Sequence, residues 1–119
     1  KQALAGKPLT VTGGQQQMER LDVRDAAEGI ARLLRMDPKN YKTVYNFSSG
    51  ETHLLKDIAI KVAEVTAQKT GKSRVKINLD NSEDIQMKFG MDSSTFYKDV
   101  NWKPEQSLKE TIESLIDYL

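Results

Sequence analysis

Residues 43–79 read TVYNFSSGETHLLKDIAIKVAEVTAQKTGKSRVKINL, and this stretch decides the fold class. Thr43-Val44-Tyr45-Asn46-Phe47 is β-branched and aromatic, the composition of a strand. Ser48-Ser49-Gly50 supplies the turn after it. Thr52 is expected to cap a helix over about residues 53–69, whose apolar stripe is Leu55, Ile58, Ala59, Val62 and Val65. Gly71 closes that helix. Arg74 to Leu79 then alternates charged or polar with apolar residues, the pattern of a half-exposed strand. Strand, helix and strand in succession predict an α/β fold.

The flanks extend the same alternation. Residues 9–12 beside Pro8 predict a short strand, and Gly13-Gly14 marks a turn or a close backbone approach. Gln15-Gln16-Gln17 reads as a polar loop, and residues 20–23 as a short extended segment. Asp25 is placed as the cap of a helix running to about Met36, with Ala26, Ile30, Leu33 and Leu34 inward and Asp37-Pro38 as its stop. Residues 80–89 are polar and irregular. Asp92 or Ser93 caps a short helix through Lys98, and Asn101 ends it as a residue that tolerates the left-handed conformation. The indole of Trp102 is expected under the last helix. Ser107-Leu108-Lys109-Glu110 has capping-box spacing, and Leu108, Ile112, Leu115, Ile116 and Leu119 follow on one face. Lys1 to Ala5 followed by Gly6 reads as the last turns of a helix that begins before the chain does. A truncated protein and a processed or tagged terminus both fit that reading.

Composition narrows the function classes. At 119 residues the chain is one domain, and its formal charge of +1 argues against a strongly basic nucleic-acid binder. With no cysteine there is neither a thiol nucleophile nor a thiolate zinc site, and the single histidine, His53, excludes a two-histidine metal site. His53 is read as a surface residue, and Lys69, Lys72, Arg74 and Lys76 as a solvated basic face. Glu83, Asp84 and Asp92 are too scattered for a metal centre. No apolar run approaches the ~18 residues that span a bilayer.

Five fragments in order resemble one family. Ala5-Gly6-Lys7-Pro8-Leu9-Thr10-Val11-Thr12-Gly13 is similar to an A-G-x-P-L-x-V-x-G segment, and Val23-Arg24-Asp25-Ala26-Ala27 to a V-x-D-V-A helix entry. Val44-Tyr45-Asn46-Phe47-Ser48-Ser49-Gly50-Glu51 resembles Y-N-I-G-S-G-E. Asp92-Ser93-Ser94, then Val100-Asn101-Trp102-Lys103-Pro104 and Ser107-Leu108, resemble D-x-S, L-G-W-x-P and S-L. Together they resemble the C-terminal substrate-binding lobe of extended short-chain dehydrogenases/reductases, the NAD-dependent nucleotide-sugar epimerase/dehydratase family of the UDP-glucose 4-epimerase kind.

The resemblance implies a single, incomplete lobe over residues 1–119 whose N-terminal Rossmann half lies outside this chain. It implies NAD or NADP in the parent protein and no cofactor here, since the chain has no G-x-x-G-x-x-G turn and no tyrosine followed four residues on by lysine. No catalytic residue is therefore assigned, and the isolated chain is expected to be inactive. The implied partners are a UDP-sugar or similar nucleotide-sugar and the absent Rossmann domain. The parent is expected to be a cytoplasmic homodimer, without nucleic-acid or membrane partners.

The implied substrate contacts are Thr10 and Thr12 through main-chain groups to the base, Met18 and Asn81 at the two positions where the family carries diphosphate arginines, and Asp84 at the ribose-contacting acid. Arg20, two residues from Met18, is the expected substitute cation, and Lys88 a further one. Three readings stay open: a nucleotide-sugar substrate gripped by Arg20 or Lys88, the diphosphate-free substrate of a related reductase, or a divergent homologue with weak or lost activity. A stand-alone, non-catalytic α/β binding module is the alternative of a different class.

Overall fold

The computed structural model describes residues 1–80, 87–88 and 90–119. In chain order the elements are β1 (Leu9–Thr12), β2 (Gln17–Glu19), α1 (Val23–Arg35), a 3-10 turn (Pro38–Asn40), β3 (Thr52–Leu54), α2 (Leu55–Thr70), β4 (Ile77–Asp80), α3 (Ser94–Val100) and α4 (Leu108–Tyr118). They fall into two compact units. The first comprises Lys1–Met18, His53–Phe89 and Ser107–Leu119, and the second Glu19–Thr52 and Gly90–Gln106. The α/β class predicted from the sequence is the class observed.

In the first unit β1 and β4 pair in parallel, Leu9 opposite Ile77 and Thr12 opposite Asp80. The ladder starts at Ile77 rather than Arg74 because the next N–H in the bonding row of β1, that of Lys7, donates instead to Gln2 O at 3.0 Å. α2 packs against both strands and against α4, which buries Val11, Ala63, Val65 and Ile112. Lys69 ties the two helices at their ends, with Nζ 2.6 Å from Asp117 Oδ2 and 3.1 Å from the Glu113 carbonyl. Residues 2–7 close a helix-terminating turn as expected: Lys7 N donates to Gln2 O and Gly6 N to Ala3 O, both at 3.0 Å, with Gly6 at φ +72°.

Thr52 does not cap α2; it opens β3, which pairs with β2. The N-cap is Leu54, which has no side chain to offer, so the helix takes acceptors from elsewhere in the chain. Leu55 N donates to Gln16 O at 2.8 Å and Lys56 N to Gly14 O at 3.1 Å. Ala63 and Thr66 join the buried face because α2 is covered on two sides. On α4 the capping box forms, Ser107 N donating to Glu110 Oε2 at 2.8 Å. Only part of the predicted stripe turns inward, however: Ile112 is buried while Leu115 and Leu119 are more than half exposed.

The second unit is built on aromatic packing between α1 and α3. Phe96 is 2% exposed and stacks on Phe47, with ring centroids 4.1 Å apart. Tyr45 meets Phe96 edge-on, and its hydroxyl donates to Asp99 Oδ2 at 2.9 Å. Gly29 on α1 makes room for both rings: a Cβ there would lie 2.6 Å from Phe47 Cε1. Trp102 belongs to this unit. Its edge meets Phe47, Arg32 lies over its ring at 5.5 Å, and its Nε1 donates to Glu105 Oε1 at 3.1 Å.

Residues 43–47 form no ladder, because a strand needs a neighbour and no described residue pairs with them. They keep the strand's alternation, Tyr45 and Phe47 half-buried and Val44 and Asn46 exposed. The cap of α1 is Asp22, which accepts from Arg24 N at 2.8 Å. Asp25 is instead buried in the first turn, accepting from Glu105 N at 3.2 Å and Gln106 N at 2.9 Å. Of the predicted α1 stripe, Ile30 and Leu34 face outward, with Val23 and Ala27 on the same exposed row.

α3 ends as expected on Asn101 in the left-handed region (φ +49°). Its N-cap position is Ser93, but the capping bond comes from Asp92, whose Oδ1 accepts from Ser94 N at 2.9 Å. Hydrogen bonds from the Ser94 side chain and backbone hold the Asp92 carboxyl below the ordinary aspartate value. A carboxylate depressed in the folded state contributes stability above its unfolded pKa and loses it as pH falls through the folded one. The expected result is that amide protection of α3 declines at acidic pH, below the ordinary aspartate range, and that Asp92→Asn removes this dependence. Carboxyl-carbon NMR titration checks it; an Asp92 value at or above that of free aspartate overturns it.

Candidate functional site

The site begins at the turn after β1. Gly13 and Gly14 have φ of +74° and +85°, a region open to glycine at little cost. A Cβ on Gly13 would lie 2.9 Å from Gln16 Nε2, so the missing side chain lets Gln16 fold back over the turn. Gln16 is buried, its Nε2 donates to Thr12 O at 3.0 Å, and its Oε1 has no partner among the described residues. With Gln16 turned in, Gln15 is exposed and Gln17 half-exposed.

Gln17 then meets a distant segment. Its N–H donates to Met87 O at 2.8 Å, and it forms a parallel bridge with Lys88. The outcome is a groove of about 390 Å³ lined by Gln15, Gln17, Leu54, Met87 and Lys88. Two carboxamides and one ammonium stand over two apolar side chains, a set suited to a ligand with an anionic end and a flat or apolar body.

The predicted contacts land unevenly. Thr10 and Thr12 lie exposed on the outward row of β1, with Val11 buried between them. Met18 is half-buried in β2, one residue from Gln17 and so on the opposite side of that strand. β2 ends at Glu19, so the strand period that would align Arg20 with Met18 does not reach Arg20. Arg20 is exposed, donates to Glu19 O at 3.4 Å and belongs to the second unit. Asn81 and Asp84 lie outside the described residues. Of the two expected cations, Lys88 is the one that lines the groove at the glutamine turn. Gln15 and Gln17 carried no signal beyond a polar loop, since their role depends on Gln16 turning in.

Among the described residues no cluster of metal-ligating side chains occurs, and no helix is long and apolar enough to cross a membrane. Tyr45 is the phenol with a perturbed pKa: burial first, then its hydrogen bond to Asp99, pushes it above the ordinary tyrosine value. That is the opposite of what a proton-abstracting tyrosine needs.

No family model and no curated protein matches the chain. Solved structures do. UDP-glucuronic acid 4-epimerase from Bacillus cereus, in complex with NAD, aligns with 98% of this chain at 25% identity and a TM-score of 0.73. RMD from Pseudomonas aeruginosa, complexed with NADPH, aligns with 98% at 20% identity and a TM-score of 0.77. The chain has the fold of part of an extended short-chain dehydrogenase/reductase. GDP-mannoheptose C4 reductase from Campylobacter jejuni, with NADP bound, shares this dehydrogenase fold over 94% of the chain at 23% identity and a TM-score of 0.75. The chain spans only 34–38% of the length of these three proteins.

Among the described residues the glycine pair after β1 does not form the strand–turn–helix arrangement of a dinucleotide-binding turn. The glycine pair after β1 leads into β2, not into a helix, so it presents no helix N-terminus to a pyrophosphate.

Proposed function

We propose that this chain is the substrate-binding lobe of an NAD(P)-dependent nucleotide-sugar epimerase/dehydratase and is not catalytic alone. The observation that carries the reading is the alignment of 98% of the chain with UDP-glucuronic acid 4-epimerase at 25% identity. In this reading the lobe holds the nucleotide-sugar while a Rossmann domain outside the chain binds NAD or NADP and performs hydride exchange. Binding energy gained at the nucleotide, away from the reacting carbon, orients the sugar. Thr10, Thr12, Met18, Arg20, Asn81 and Asp84 remain the proposed substrate contacts, with Lys88, which bridges to Gln17, as a further cation. The exposed row Val23, Ala27, Ile30 and Leu34, together with residues 43–47, which pair with no described strand, supports a further lobe as partner. Homodimerisation of the parent and a cytoplasmic location belong to the same proposal.

One observation favours a second reading. Met18, not arginine, stands in β2, which suits a substrate without a diphosphate, as in a related reductase. UDP and uridine titrations decide between them. UDP is expected to shift the amide signals of Gln15, Gln17 and Lys88, uridine much less, and Lys88→Ala to weaken UDP binding about fivefold, as for a partly solvated charge contact. Equal shifts with uridine support the diphosphate-free reading. Unchanged signals at millimolar UDP overturn the nucleotide grip of this lobe.

A further inference from the structure

The open edge of β4 faces a groove that the nucleotide-sugar reading does not use. Leu9 N donates to Lys76 O at 2.9 Å and Gly13 N to Asp80 O at 2.8 Å. Alternate residues of a parallel strand bond to the same neighbour, so Asn78 and Asp80 turn their main-chain groups toward β1. Ile77 and Leu79 turn theirs away, to an edge that no described strand covers. Along that edge runs a cavity of about 460 Å³, with Ile60, Ile77 and Leu79 as apolar floor and Lys56, Arg74 and Lys76 around it. Among the described residues no acidic side chain lines it. Arg74 is shared with Glu64 of α2, 3.1 Å away, whereas Lys56 and Lys76 have no ion-pair partner among the described residues.

We propose that this edge docks an extended acidic peptide segment of another protein, which adds a strand beside β4. Strand addition supplies main-chain bonds at Ile77 and Leu79, and the alternation of the added strand sets specificity. Charge selects the occupant. By the strand period Lys76 stands on the opposite face from Ile77 and Leu79, so a strand whose carboxylates stand on one face meets Lys76, and its apolar side chains meet Ile60 and Leu79 on the other, beside Lys56. A second copy of this chain would set Arg74 and Lys76 against their own images, a repulsive pairing.

The test uses the 119-residue chain and a synthetic peptide alternating glutamate and valine. The peptide is expected to shift the Ile77 and Leu79 amide signals, to slow their hydrogen exchange, and to bind more weakly as salt rises. Lys76→Glu is expected to weaken it roughly tenfold and Lys76→Gln less, both leaving the fold intact because Lys76 is exposed. A peptide N-methylated at alternate residues, or one with lysine for glutamate, is expected not to bind. The proposal is overturned if the N-methylated peptide binds equally, which would make it charge attraction alone. It is also overturned if inorganic phosphate reproduces the shifts at equal concentration, if millimolar peptide leaves both signals in place, or if the chain dimerises with Ile77 and Leu79 protected in the absence of peptide.

Discussion

Phe96→Ala is expected to lower the unfolding free energy of the unit built on α1 and α3 by ~3–5 kcal/mol. Phe96 is 2% exposed and is met from three directions: Phe47 stacked at 4.1 Å, Tyr45 edge-on at 5.7 Å and Tyr97 edge-on at 6.5 Å. Deleting the ring removes its transfer free energy and all three aromatic contacts. The void cannot collapse cheaply, because α1 already approaches as closely as Gly29 allows. Trp102, the only tryptophan, sits in this unit with its edge toward Phe47, so urea unfolding followed by indole fluorescence reads the change locally. Phe96→Leu, which refills part of the volume, is expected to lose less than half as much. A loss under ~1 kcal/mol for the alanine variant would mean that the aromatic cluster does not hold this unit together.

Asp25→Ala has the second-largest expected effect, a loss of about 2–3 kcal/mol. The Asp25 carboxylate is buried in the first turn of α1, where it accepts from the consecutive N–H groups of Glu105 and Gln106. Bonds to an ionised acceptor are stronger than neutral ones, and the first turn of a helix favours a negative charge. Alanine leaves both donors without their partner. Asn keeps one carbonyl oxygen but sets an NH₂ group against the other N–H, so Asp25→Asn is expected to recover only part of the loss. Hydrogen exchange of the Glu105 and Gln106 amides supplies the specific reading: both accelerate in Asp25→Ala, and only one in Asp25→Asn. Unchanged exchange at both sites would show that the carboxylate does not hold this segment.

Elements whose partners lie within a few residues were legible. The Ser107–Glu110 capping box, Gly71 at φ +69°, Asn101 in the left-handed region and the Gly6 turn all form where the residue types demand them. Each closes its hydrogen bonds inside one turn of chain, so no distant segment can move it. Helix faces were less legible. Ile30 and Leu34 were expected inward by period, but the inward face of α1 carries Asp25 and Gly29, because two aromatic rings need the glycine and two amides need the carboxylate. Apolar periodicity marks rows that can be buried without saying which of two rows the rest of the molecule covers.

The candidate site divides along the same line. Residue types named Thr10, Thr12, Met18 and Arg20 by their position in a motif, and Lys88 as a spare cation. The bridge from Gln17 to Lys88 and the bond from Gln17 N to Met87 O, across some seventy residues, gather the groove. The sequence by itself determined the α/β class, the Ser107 capping box, the helix stops at Gly71 and Asn101 and the glycine turns, because those follow from backbone preferences and bonds between near neighbours. Tertiary structure alone decided the pairing of β1 with β4, the carbonyls that start α2, the burial of Asp25 and the approach of Lys88 to the glutamines. Each of these requires one group to find a partner whose identity its own surroundings do not specify.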